Sequence, residues 1–178
     1  MVNFSVFSTY SLSLDYENSR LYVANTQSNY LTVIDYNENQ VINQVDLGSK
    51  GGRAIALTPD GRYAFVTIEN QSEVVAIDTQ TFDIIKRIPT GAGPRGIALD
   101  SSSGTLYTAD FQRPGGNFAL HSELKGGLTR INLTKPISEL RKSQKLELDI
   151  EITYQDISTG KGCCSVALID LDYLQKTA

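Results

Sequence analysis

The sequence predicts an all-β fold: a β-propeller of four-stranded antiparallel blades, of which this chain supplies about three plus one further strand. Three observations predict it. One pattern recurs about every 42 to 43 residues, most clearly over Gly48–Asp78 and Gly91–Asp110. Within each copy, residues alternate with a period of two, the signature of strands rather than helices. Polar turns divide each copy into runs of about five residues, and a strand-type repeat of this length points to a propeller or a related array.

The first copy begins at Tyr10-Ser-Leu-Ser-Leu14 and continues through Leu21-Tyr-Val-Ala-Asn25, Leu31-Thr-Val-Ile-Asp35 and Val41-Ile-Asn-Gln-Val45. Four such strands make one blade. The innermost strands of successive copies carry small residues at alternate places: Ser11 and Ser13, Ala54 and Ala56, Gly96 and Ala98. Blades converge on an axis, so only small side chains let neighbours meet there. The intervening Leu12, Ile55 and Ile97 face the other side of each blade. Farther out there is room for the aromatic residues Tyr22, Phe65 and Tyr107 of the second strands. Asp35 and Asp78 close the third strands, where a carboxylate accepts backbone N–H groups two residues on. They read as turn devices.

The third copy departs from this regularity. Its third strand, Leu128-Thr-Arg-Ile-Asn132, follows an insertion over 111–127. Beyond it, Pro136-Ile-Ser-Glu-Leu-Arg-Lys-Ser-Gln-Lys145 permits a short surface helix with Pro in its first turn. Gly160-Lys-Gly-Cys-Cys-Ser-Val-Ala-Leu168 repeats Gly91-Ala-Gly-Pro-Arg-Gly-Ile-Ala-Leu99 and reads as the innermost strand of a fourth blade. The expected division is therefore blades over 8–47, 48–90 and 91–157, with a fourth begun in 158–178. Propellers close with about four to eight blades. This set is partial, or is completed by another chain, because an open arc exposes an apolar blade face at each end.

Composition narrows the function. The 178 residues carry 16 basic and 20 acidic side chains and a net charge of −4. That balance, without a basic stripe, argues against a general nucleic-acid partner. No apolar run approaches the length of a membrane span, and Met1-Val-Asn-Phe-Ser-Val-Phe7 lacks the basic start of a signal peptide. Cys163 and Cys164 are adjacent, and the commoner reading is a reduced, buried pair rather than a strained vicinal disulfide. N-x-S/T triplets stand at Asn3, Asn70 and Asn132 and matter only in a secreted eukaryotic protein.

Candidate chemistry is sparse. Gly91-Ala-Gly-Pro-Arg-Gly96 matches a dinucleotide fingerprint in letters, but that loop must open a helix and here it opens a strand. His121 is the single histidine, so no multi-histidine metal site exists and any Ser-His-Asp triad depends on it alone. It lies in the insertion near Arg113 and Glu123. No calcium loop, haem attachment or nucleotide motif is present, so no cofactor is expected. Asp100 and Asp110 end strands and could contribute to an isolated ion site, with nothing evident to pair them. Arg53 and Arg95 occupy equivalent places just before the innermost strands, where Tyr10 and Cys164 stand in the other copies. That places them at the mouth of the central channel, where they either hold an anionic group or bond carbonyls of the neighbouring blade. The candidate ligand- or partner-binding residues are thus Arg53, Arg95, Arg113, His121 and Cys164.

Tyr22-Val-Ala-Asn25 with Leu31-Thr-Val-Ile-Asp35, Leu57-Thr-Pro-Asp-Gly61 with Tyr63-Ala-Phe-Val-Thr67, and Gly91–Leu99 resemble the YVTN-type β-propeller repeat. That repeat occurs in microbial surface-layer and periplasmic proteins and is similar to propellers of some lactonases and amine dehydrogenase subunits. The resemblance covers residues 10–110 well and 111–157 poorly. It implies a propeller and a periplasmic or extracellular setting, and it carries over no catalytic residue. The favoured expectation is a non-enzymatic scaffold or binding module that meets partner proteins, or a second copy of itself, through its blade faces and the 111–127 insertion. The alternative is a lactonase-like hydrolase or the propeller subunit of a redox complex, with a site at the channel mouth.

Overall fold

The computed structural model describes residues 9–111, 127–133 and 150–153, the last as backbone only. These residues form three four-stranded antiparallel sheets. Blade 1 comprises β1 (Thr9–Asp15), β2 (Arg20–Asn25), β3 (Tyr30–Asp35) and β4 (Gln40–Asp46). Blade 2 comprises β5 (Gly52–Leu57), β6 (Tyr63–Ile68), β7 (Glu73–Asp78) and β8 (Ile84–Pro89), with a single 3-10 turn at Glu69–Gln71. Blade 3 comprises β9 (Pro94–Asp100), β10 (Thr105–Asp110), β11 (Gly127–Leu133) and β12 (Ile150–Thr153). In each blade the strands pair in chain order, as a meander.

The repeat in the sequence is a repeat in register. Leu14 pairs with Leu21, Leu57 with Ala64 and Leu99 with Leu106, each next to the turn between first and second strands. At the other end of that pairing every blade has a bulge, between Thr9 and Ser11, between Gly52 and Ile55, and between Ala109 and Asp110. A bulge inserts an unpaired residue and raises the local twist. The repeated bulge therefore re-aims the residue that begins each innermost strand. The anticipated turn carboxylates behave as expected. Asp35 accepts from the backbone N–H of Asn37 at 2.9 Å and of Glu38 at 3.0 Å. Asp78 accepts from those of Gln80 at 2.8 Å and Thr81 at 3.3 Å.

The first strands lie side by side around an axis: β1 packs against β5 and β5 against β9. Their small residues allow that approach. Between the sheets sit two apolar layers. One joins Tyr22, Ala24, Leu31, Val33, Val45 and Leu47 of blade 1 to Ala64, Val66, Ile68, Val75 and Ile77 of blade 2. The other joins Tyr63, Phe65, Val74, Ala76 and Ile88 of blade 2 to Leu106, Ile131 and Leu133 of blade 3. Each fully buried aliphatic or aromatic side chain contributes about 1.5–3 kcal/mol, so these layers hold the arc together.

Blade 2 is covered on both sides, and all six residues of β6 are buried. Blade 1 is covered on one. Its other side, led by Leu12 (58% exposed) and Leu14 (46%), has no described sheet against it. Their equivalents Ile55 and Leu57 in blade 2, and Ile97 and Leu99 in blade 3, pack into the two layers. The expected 136–145 helix, the Cys163–Cys164 pair and the fourth-blade strand at 160–168 lie outside the described residues.

Candidate functional site

The bulged end of the first strands forms a rim where three blades meet. Arg53 and Arg95 follow the loops that lead into β5 and β9, and both guanidinium groups turn onto one carboxylate, Glu69. Arg53 donates from Nε to Glu69 Oε2 at 2.6 Å, with its Nη2 on the same oxygen. Arg95 donates from Nε and Nη2 to Glu69 Oε1 at 2.9 and 2.8 Å. Glu69 is held there because its backbone N–H donates to Gly51 O at 2.9 Å, just before β5. Its equivalent in blade 3, Phe111, does the same to Gly93 O at 2.8 Å. The apolar faces of the two arginines are also taken. The Arg53 guanidinium lies 4.5 Å from the centre of the Tyr10 ring, and that of Arg95 lies 3.8 Å from the centre of Phe111.

The result is a chain of contacts, Tyr10–Arg53–Glu69–Arg95–Phe111, that crosses from blade 1 through blade 2 to blade 3. It is mostly buried: the side chains of Arg53, Arg95 and Glu69 are 16%, 11% and 5% exposed. Burial pushes the Glu69 carboxyl up, but hydrogen bonds from Arg95 and Arg53 and their charges outweigh burial and hold it below its ordinary value. It stays ionised, and the group carries a net +1. Arg95 thus bonds a carboxylate of the neighbouring blade, whereas Arg53 bonds a carboxylate of its own blade and meets blade 1 through the Tyr10 ring. Glu69 was not foreseen. Its signal was a lone carboxylate directly after an otherwise apolar strand, in a copy whose counterparts are Thr26 and Phe111. Arg113, His121 and Cys164 lie outside the described residues.

A second polar group sits beneath the rim on the side of blade 3 that meets blade 2. Asp110, 2% exposed, accepts from the Thr108 hydroxyl at 2.7 Å and the Thr129 hydroxyl at 2.5 Å. Thr129 in turn accepts from the Gly91 N–H at 2.8 Å. Burial pushes the Asp110 carboxyl up to about 6, against the opposing effect of these hydrogen bonds. Asp100 stands at the far end of the blade, half-buried as the last residue of β9. Hydrogen bonds from Ser102 and Ser103 hold its carboxyl down to about 2. The two aspartates are not brought together. Among the described residues, no three His, Cys, Asp or Glu side chains converge as metal ligands. The Gly91–Gly96 loop opens strand β9, so its glycines serve the fold.

At the opposite ends of β1 and β5 lies a cleft of about 340 Å³ lined by Ser13, Asp15, Tyr16, Thr58 and Gly61 among others. Asp15 is engaged within it, accepting from the backbone and side-chain nitrogens of Asn18 at 3.1 and 2.8 Å.

Comparison with known proteins agrees with this architecture. No protein-family model matches the chain. The uncharacterized protein YncE of Salmonella typhimurium is 24% identical over 103 residues, 58% of this chain and 29% of that protein. The YncE of Salmonella typhi matches equally. The chain thus spans under a third of these curated relatives. Among solved structures, hydrazine synthase of Kuenenia stuttgartiensis superposes with a TM-score of 0.60 at 22% identity, covering 74% of this chain and 34% of that one. The β-propeller domain of Cps50 (Swd1) from Myceliophteria thermophila gives 0.57 at 14% identity, covering 72% and 37%. At these identities the likeness is one of fold: the chain has the architecture of a β-propeller, and its described residues form an arc of three blades.

Proposed function

We propose that the chain is a non-catalytic propeller module that binds protein, with the uncovered side of blade 1 as its principal contact surface and the 111–127 insertion as a second. The observation that carries this is the side on which Leu12, Leu14 and Val41 are exposed and Leu21 and Ile34 half-buried, with Val23 buried among them. Register places these residues on one face of the sheet, and Leu12, Leu14 and Val41 are 58%, 46% and 37% exposed. A contiguous apolar surface of this kind marks an interaction site. The rim supports the non-catalytic reading. Arg53 and Arg95, the two side chains expected to hold an anionic ligand at the channel mouth, donate instead to Glu69. The same contacts make the rim a tie between blades.

The test is to replace Leu12 and Leu14 together by Asp. The parent chain binds a hydrophobic dye or associates with protein through this side, and the variant loses that binding while its circular dichroism is unchanged. Equal dye binding and equal association in parent and variant would sink the proposal.

A further inference from the structure

We infer that the partner docking on the uncovered side of blade 1 is a basic segment, one of whose arginine side chains fills the cleft beside that side. The inference rests on the reading of that side as a protein-binding surface and names the chemistry of its partner.

The cleft lies where the turn after β1 meets the turn after β5. Its volume of about 340 Å³ stands at the small end of ligand pockets, about 300–1,000 Å³. That is room for one side chain rather than for an element of structure. Leu14 lines the cleft and is also 46% exposed on the apolar side. The two surfaces therefore join at this residue.

The walls of the cleft are acidic. Asp15 and Glu17 line it, and no basic residue does. Asp15 is held by the backbone and side-chain nitrogens of Asn18. Gly61 leaves space for it, since a Cβ there would lie 2.5 Å from Asp15 Oδ2. These neighbours are neutral, so they leave the charge of Asp15 in place. Glu17 is exposed and forms no ion pair with a described residue. The basic side chains of the adjoining strands are turned elsewhere. Arg20 donates to the Thr79 carbonyl at 2.7 Å, and Arg62 donates to Asp78 at 2.8 Å. Tyr16, 76% exposed, adds an aromatic ring to the lining.

The repeat accounts for Asp15 but not for its two neighbours. The same turn in blade 3, Asp100-Ser-Ser-Ser-Gly104, keeps the aspartate and has serines where Tyr16 and Glu17 stand. In blade 2 those places hold Pro59 and Asp60. Of the three turns, only that of blade 1 combines an aromatic ring with two carboxylates. A guanidinium group matches that combination, because it stacks on aromatic faces and meets carboxylates with a planar set of donors. A segment with arginine among apolar residues would cover Leu12 and Leu14 and pair the charge of Glu17 in one contact.

The experiment titrates two capped, labelled peptides into the 178-residue chain and reads their fluorescence polarisation. One is Ser-Leu-Val-Arg-Val-Leu-Ser, and the other has citrulline, a neutral isostere, in place of arginine. The citrulline peptide is expected to bind at least about tenfold more weakly. Glu17→Gln and Tyr16→Ala are each expected to weaken the arginine peptide about threefold. Both are exposed turn positions, and circular dichroism checks folding. Glu38→Gln removes the same charge from the turn after β3 and is expected to change nothing. If Glu17→Gln and Glu38→Gln weaken binding equally, net charge alone is at work and the cleft is overturned. Equal binding of the two peptides, lost in the Leu12→Asp, Leu14→Asp variant, would overturn the arginine while leaving the apolar surface in place. Dye binding that depends on Leu12 and Leu14, with neither peptide bound, would do the same. A chain that binds neither peptide nor dye would overturn both readings.

Discussion

Glu69 links two guanidinium groups that belong to different blades, and its removal should be felt in both. In Glu69→Gln the amide keeps the shape but not the charge, so two largely buried cations face each other without an anion between them. Breaking a buried pair by removing one partner is strongly destabilising, about 3 kcal/mol or more. Urea unfolding should show that loss as a lower midpoint with an unchanged slope; a change below about 1 kcal/mol would mean that the tie is ornamental. Asp110 makes a prediction of opposite sign. Its folded value, about 6, lies above the ordinary 3.8, so the folded chain retains a proton that the unfolded chain releases as pH rises between those values. The contribution of Asp110 is fully present below about pH 4, declines toward pH 6 and stays low above it. The difference is of order 3 kcal/mol. Asp110→Asn cannot ionise, and its amide can still meet the Thr108 and Thr129 hydroxyls, which both donate and accept. The variant should therefore gain stability over the parent as pH rises from 4 to 7. A parent-to-variant difference that does not change with pH would refute this. Glu69 escapes a reading of the repeat, and Asp110 shows there only as a strand-end carboxylate, because the repeat reports what recurs. At the Glu69 position the copies have Thr, Glu and Phe, and at the Asp110 position Asn, Ile and Asp.

At the scale of the element, the sequence was legible where side-chain size and period act locally. Alternation placed β1 to β4 on their observed residues to within one or two positions. The small residues of β1, β5 and β9 followed from the convergence of strands on an axis. What was not legible was the use of the residue that opens each first strand. A bulge there turns Tyr10, Arg53 and Arg95 toward one another, and a bulge is a property of pairing with the next strand, which local periodicity does not contain. Gly93 shows how tightly that end is built. Its φ is +67°, and a Cβ on it would lie 2.6 Å from the Phe111 carbonyl oxygen. Gly93→Ala must bear the left-handed backbone, about 1–2 kcal/mol, and displace the segment that carries the Phe111 ring over Arg95. The expected outcome is a lowered melting temperature, greater than the backbone penalty alone explains. If Gly93→Ala melts with the parent, the close approach is not real.

Across the whole molecule, stability follows from the number of sides each blade has covered. In a repeat array the total is approximately a sum of intrinsic terms and nearest-neighbour interfaces. Blade 2 has two such interfaces. Blade 1 has one among the described residues, and its β1 leaves Tyr10, Leu12 and Leu14 exposed. Backbone amides should exchange with solvent accordingly, because the free energy of local opening rises with buried apolar contact. The amides of β6 and β7 are expected to exchange last, and those of β1 and β4 at least about tenfold faster. Uniform exchange over all three blades would show that the arc opens as one unit and that the uncovered side of blade 1 carries no local weakness. Fast exchange in β6 would be graver, since the two apolar layers on either side of that strand are what hold the blades in an arc.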